Sequence, residues 1–354
     1  MSNAAARAIG ALSRRVRTLL VAAVVFLILL ILSMTLPVPY LILSPGPTYN
    51  TLGTDDSGRA IIVIKGGQAQ KTRGHLNMTT VLVSTQKLTV FDALGAWLQA
   101  DEVVVPRSSI YPPGKSQQQV DQQNTQQFTA SQDDAVAAAS CELGYPKQFG
   151  VVTVLSTGAA AAKLQPADVI KTLDGKPAGS DTSLRRLLAA DSPGMTVSLS
   201  IERTGAPKTV QITLGPAPKH RNGASIGIGV GTVCQLPFTV GLGLGNQIGG
   251  PSAGLMFALG IMDKTGKQDL TDGRFIAGTG TIDAAGTVGP IGGIQLKMIA
   301  ARRAGATVFL APAGNCRDVQ GAVPGGLQVV KVDSLHHAVQ YLGDLEKHHS
   351  VPHC

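Results

Sequence analysis

Gly249-Gly250-Pro251-Ser252-Ala253-Gly254, running into Leu255-Met256-Phe257-Ala258-Leu259, decides how this chain is read. Two glycines ahead of a proline allow a tight turn, and Pro251 suits a first helical position because the N–H it lacks would be unpaired there. The apolar run that follows predicts a helix with Ser252 at its N-terminus. Free N–H groups and the positive end of the dipole favour a developing anion there, which makes Ser252 a candidate nucleophile and the backbone of Gly250 and Ser252 a candidate oxyanion site. The hydroxyl still needs a base. Lys297 follows 45 positions later in Gly292-Gly293-Ile294-Gln295-Leu296-Lys297-Met298-Ile299-Ala300-Ala301-Arg302-Arg303-Ala304. Helical spacing groups Ile294, Ala300, Ala301 and Ala304 around the lysine and turns Arg302 and Arg303 elsewhere. Burial among apolar side chains lowers an amine's pKa towards neutrality, which a lysine base requires. Taken singly, an N-cap serine and a snorkelling lysine are the commoner readings of these residues.

Together with Gly278-Thr279-Gly280-Thr281-Ile282 and Val288-Gly289-Pro290-Ile291-Gly292-Gly293, the Gly250–Gly254 and Lys297 motifs resemble the proteolytic domain of Lon proteases, in that family's order and near its spacing. The resemblance covers roughly the last third of the chain. It implies a Ser-Lys dyad, Ser252 as nucleophile and Lys297 as base, with Thr279 holding the lysine amine. The acidic residue that Lon enzymes often carry three places before the serine is Gly249 here, and the one two places after the threonine is Thr281. The ring assembly of Lon proteases implies a homo-oligomer. Lon proteases usually join this domain to an ATPase, but no G-x-x-x-x-G-K-[ST] occurs here, so ATP-independent cleavage of unfolded or exposed protein segments is expected.

With 354 residues, the chain has room for two or three domains. Its formal charge of +8 comes from 30 basic against 22 acidic residues, part of it in Arg7, Arg14, Arg15 and Arg17. There is no basic stripe with interleaved aromatics, so nucleic acid is not an expected partner. Residues 18–36 carry no charge and are rich in Leu, Val, Ile and Ala. Nineteen residues at about 1.5 Å each nearly span a hydrocarbon core of roughly 30 Å, which predicts a transmembrane helix. Arginines precede it and no charged residue follows until Asp55, so residues 1–17 are expected in the cytoplasm and the remainder outside. A cleaved signal peptide is the rival reading, but Ser33-Met34-Thr35 makes a poor cleavage site.

Beyond the anchor, residues 37–148 read as an N-terminal ectodomain region. It has strands at 60–64 and 78–83, a helix at 90–98, a glutamine-rich exposed tract at 116–127 and a helix at 131–143 capped by Ser131, with Asp133 and Asp134 in its first turn. Residues 149–215 resemble a PDZ domain in the pattern Ala161-Ala162…Leu164-Gln165-Pro166-Ala167-Asp168-Val169-Ile170…Asp174-Gly175. The bottom-up expectation there is a strand, a short helix, a strand, a helix at 182–190 and strands at 196–203 and 208–214. Phe149-Gly150-Val151 is the nearest stand-in for a carboxylate-binding loop. A PDZ domain implies peptide binding by strand addition, or packing against the catalytic domain. Residues 216–222 read as a linker into a Lon-like domain at 225–345, opened by a strand at 225–230.

Cys141, Cys234, Cys316 and Cys354 have no CxxC spacing. In an oxidising compartment a Cys234–Cys316 bridge is the expectation, with free cysteines the alternative. No cofactor or metal site is expected, and the tail histidines read as surface residues. Asp333 and His336 could complete a Ser-Asp-His esterase order behind Ser252, although the glycine-rich 241–249 segment is not the buried strand such an enzyme needs. A membrane-tethered PDZ scaffold with an inactive serine domain is the second rival. The expected whole is an α+β ectodomain on one membrane helix, acting as a serine endopeptidase on extracytoplasmic protein or peptide substrates.

Overall fold

The computed structural model describes residues 13–354 except 56, 156, 218–222, 245–247 and 267. Arg7 and most of the expected 216–222 linker therefore lie outside the described residues. The chain divides into two compact units, Met1–Pro45 with Leu82–Ser116, and Gly46–Val81 with Gln117–Cys354.

In the first unit, the apolar run forms the 22-residue helix Arg14–Thr35, capped by the Ser13 hydroxyl and with no buried residue. It ends where Leu36 turns extended ahead of Pro37, as a proline demands of its predecessor. Pro37–Val38 then pairs antiparallel with Leu88–Thr89. Thr89 and Asp92 form a capping box that starts helix Val90–Trp97. Tyr40 to Leu43 pair with Val103–Pro106.

The second unit holds a parallel sheet in the order His75–Val83, Phe275–Gly278, Val308–Pro312, Gln328–Val332. Because side chains alternate along a strand, this sheet packs two cores. Leu76, Met78, Ile276, Leu310 and Val330 meet helices Gly254–Thr265, Gln117–Glu142 and Leu335–Glu346 on one face. Ala277, Phe309, Ala311 and Val329 meet helix Ile294–Arg303 on the other. The strand at 75–83 belongs to the same sheet as 275–278.

The same unit holds a second sheet, ordered Ala206–Thr213, Thr196–Arg203, Val169–Leu173, Lys147–Val154, Ile228–Cys234, with its own core around Leu173, Leu199, Ile201 and Ile212 and with helix Asp181–Ala190. The strand expected to open the C-terminal domain instead closes this sheet, pairing Ile228 with Val154 and Cys234 with Lys147. That pairing carries Cys234 to the end of helix Gln117–Glu142, where it bridges Cys141 and staples the module's entry to its exit. Cys316 bridges Cys354 beside the last strand, which the terminal segment joins through Val330 and His353. The expected Cys234–Cys316 bridge is therefore replaced by two others. The short helix expected between the first two strands of this segment is a turn, with Ala162 at a left-handed φ of 59°.

The glutamine-rich tract and the 131–143 helix are one 26-residue helix, Gln117–Glu142. Ser131 sits in its middle, so it caps nothing, and Asp133 and Asp134 stand beyond it rather than in a first turn. Val120 and Phe128 are buried, and Phe128 meets Phe257 edge-on.

Candidate active site

Helix Gly254–Thr265 begins two residues after Ser252, with Ala253 at the cap, so Pro251 and Ser252 form the turn before the helix rather than its first residues. Buried helices meet here at very close range. A Cβ on Gly254 would stand 2.6 Å from Ser131 Oγ and 2.7 Å from Ile282 Cγ2. The turn is tied down by its neighbours: Gly250 N–H donates to the Asn124 carbonyl at 2.9 Å and Ser131 Oγ donates to the Pro251 carbonyl at 2.9 Å. The Ser252 carbonyl accepts from Gly280 N–H at 2.9 Å and from the Thr279 hydroxyl at 3.0 Å.

Thr279 leaves the end of strand Phe275–Gly278 and is wholly buried. Lys297 projects from helix Ile294–Arg303 and is 4% exposed. Its Nζ lies 2.7 Å from Ser252 Oγ and 3.0 Å from Thr279 Oγ1. The structure thus brings Ser252, Lys297 and Thr279 into one hydrogen-bonded cluster. Burial disfavours the ammonium and pushes the lysine pKa down from 10.5 to about 8. No carboxylate pairs with the amine among the described residues. When the amine is neutral, the serine hydroxyl donates to it, the arrangement a general base requires.

Of the two expected oxyanion donors, Gly250 N–H is taken by Asn124, because the turn is braced against the long helix. Ser252 N–H has no acceptor among the described residues. Ala304, expected beside the lysine, is exposed, whereas Ile294, Ala300 and Ala301 are buried as expected. The esterase order does not assemble: Asp333 pairs with His337, and His336 pairs with Glu142 at 2.8 Å.

Three residues outside the expected set hold the site in place. Asn124 and Ser131 lie on the long helix; no sequence signal marks Asn124, and Ser131 stands out only as a helix cap. Asn315, 3% exposed, accepts from Ile291 N–H at 2.9 Å and donates to the Ile291 carbonyl at 2.8 Å, fixing the loop that enters the lysine helix. Asp133 and Asp134, also on the long helix, are half-buried, and burial raises their carboxyl pKa values to about 6 and about 7.

Residues 247–343 match the family profile of the Lon protease (S16) C-terminal proteolytic domain, and residues 124–214 that of the PDZ domain. The chain carries a PDZ domain and a Lon-type proteolytic domain. The Lon protease of Heliobacterium modesticaldum is 41% identical over 71 residues, covering 20% of this chain and 8% of that protein. The probable periplasmic serine endoprotease DegP-like of Pseudomonas fulva is 40% identical over 82 residues, 23% of this chain and 17% of that protein. The chain therefore matches under a fifth of the length of these relatives. Among solved structures, the PDZ domain of the SdrC-like protein Lmo2051 from Listeria monocytogenes aligns at 23% identity and a TM-score of 0.22, covering 23% of this chain and 86% of that one.

In the PDZ domain, Phe149-Gly150-Val151 is not the carboxylate loop. It lies in a central strand, where a Cβ on Gly150 would meet the Asp168 carbonyl oxygen at 2.4 Å. A cleft of about 710 Å³ opens instead between helix Asp181–Ala190 and residues 224–230, lined by Leu184, Leu188, Ile226 and Ile228, with Arg185 beside them. Its strand, Ile228–Cys234, stands at the end of the sheet order. The strand side of this cleft thus comes from sequence beyond the 124–214 match.

Proposed function

We propose that this chain is an ATP-independent serine endopeptidase with a Ser252-Lys297 dyad. The observation that carries the reading is the 2.7 Å approach of a buried, charge-unpaired lysine to Ser252 Oγ. In the proposed reaction, neutral Lys297 takes the Ser252 proton as Oγ attacks the scissile carbonyl, giving a tetrahedral oxyanion. The Ser252 N–H stabilises that oxyanion, joined by Gly250 N–H if the turn releases Asn124. Lys297 then protonates the leaving amine, and water hydrolyses the acyl-enzyme by the same proton path. Thr279 positions the amine.

On this reading helix Arg14–Thr35 crosses a membrane once, with the N-terminus in the cytoplasm and the catalytic domain outside, where two disulfides are in keeping with an oxidising compartment. Protein or peptide chain ends add as a strand along Ile228–Cys234 and set an apolar side chain into the cleft. Peptide capture beside the dyad raises the local substrate concentration. The chain works as a homo-oligomer, a proposal that rests on resemblance to Lon proteases.

The test is proteolysis of an unfolded protein, without ATP, by the full-length chain in detergent. The expected result is cleavage that is lost in Ser252→Ala and rises with pH through about 8, the Lys297 value. Cleavage that survives Ser252→Ala, or a flat profile from pH 6 to 9, refutes the dyad.

A further inference from the structure

Helix Val90–Trp97 is turned inside out. At about 100° per residue, Val90, Phe91, Leu94, Trp97 and Leu98 fall on one arc of roughly 120°. A soluble helix buries such an arc. Here Phe91 and Leu94 are each 53% exposed, Trp97 is 73% and Leu98 is 81%, while the buried residue is Ala96, on the opposite side. The only charged side chain of the helix, Asp92, is committed to the capping box with Thr89 and lies outside the apolar arc.

The position of this helix says what covers the arc. Pro37 and Val38, immediately after the apolar helix Arg14–Thr35, pair with Thr89 and Leu88, immediately before Val90. That register sets the start of the short helix beside the end of the long one, and the two helices pack against each other. From Thr18 onward the long helix carries no charged residue on any side, and none of its residues is buried. An uncharged arc carrying a tryptophan, continuous with the end of such a helix, matches the composition of segments that lie at the headgroup level of a bilayer.

We propose that Val90–Trp97 is an interfacial helix, seated in the boundary of the same bilayer that Arg14–Thr35 crosses. The proposal rests on the membrane-anchor reading above. Phe91, Leu94 and Leu98 enter the acyl boundary and Trp97 sits at headgroup depth. The anchor is then a two-helix device that fixes rotation and tilt of the membrane helix, which a single span leaves free.

Trp97 is the only tryptophan in the chain, so the native protein reports on its own seat. The full-length chain is reconstituted in phosphatidylcholine vesicles, floated on a density gradient, and read by tryptophan emission against aqueous acrylamide and against lipids brominated near the headgroup or near the chain end. The expected result is flotation, protection from acrylamide, and stronger quenching by the shallow bromine than by the deep one. A combined Phe91→Gln, Leu94→Gln, Leu98→Gln variant should still float but lose the lipid quenching. Floating protein whose Trp97 is quenched by acrylamide and untouched by bromolipid overturns the interfacial seat and leaves the anchor standing. Protection from both quenchers means that protein, such as a second copy, covers the arc, and also overturns it. So does stronger quenching by the deep bromine. Failure to float refutes the anchor reading itself, and the proposal with it.

Discussion

Replacing Lys297 with methionine should sharply lower turnover and make the protein relatively more stable at neutral pH. The lysine is 4% exposed, and burial holds its pKa near 8 against an ordinary 10.5. At about 1.4 kcal/mol per unit, keeping the protonated lysine in the folded chain costs about 3 kcal/mol at pH 7. Methionine fills a similar volume without that cost, but it forfeits contacts with Ser252 and Thr279 worth about 1 kcal/mol each. Between the two pKa values the unfolded chain binds more protons than the folded one, so wild-type stability rises as pH increases from about 8 towards 10.5. The excess stability of Lys297→Met should therefore shrink by roughly 2 to 3 kcal/mol from pH 7 to pH 10. Urea denaturation of both proteins at several pH values measures the gap. A gap that does not change with pH refutes the claim that the lysine is strained by burial. On the proposed mechanism, loss of the base lowers kcat by about 10²- to 10⁴-fold.

Asp134→Asn should stabilise the protein at pH 8 and have little effect at pH 4. Burial, then the neighbouring Asp133 and Asp283 carboxylates, raise the Asp134 pKa to about 7, so the stability it contributes when protonated is complete below its ordinary 3.8 and lost as pH rises through about 7. Melting curves across pH 4–8 check this, and parallel wild-type and variant profiles would contradict it. Gly254→Ala should cost about 1–3 kcal/mol, because the new methyl group overlaps Ser131 Oγ and Ile282. It should also lower kcat by moving the Ser252 turn, and adding Ser131→Ala should recover part of the lost stability. No recovery would place the strain elsewhere.

Much of the site was legible in the sequence because its chemistry is locally encoded. Ser252, Thr279 and Lys297 each sit in a glycine-punctuated motif, and apolar neighbours at helical spacing announced the burial of the lysine. The helix Asp181–Ala190 and strand Thr196–Arg203 followed from local periodicity in the same way. The groups that hold the site could not be read. Helix Gln117–Glu142 lacks a continuous apolar stripe over its glutamine-rich half, so nothing local shows that Asn124 and Ser131 press against the serine turn. The bond of Gly250 to Asn124 likewise depends on a partner 126 positions away.

By itself the sequence determined which serine and lysine to examine as a candidate site, the apolar N-terminal helix and the PDZ and Lon-type motifs, since each is written in a short run of neighbouring residues. Only the tertiary structure decided that the strand at 75–83 belongs beside 275–278, that Ile228–Cys234 completes the PDZ sheet, and that the disulfides join Cys141 to Cys234 and Cys316 to Cys354. Strand partners and cysteine pairs are chosen by which distant segments can bury their apolar faces together. That choice is a property of the whole packed chain, and no local stretch of sequence carries it.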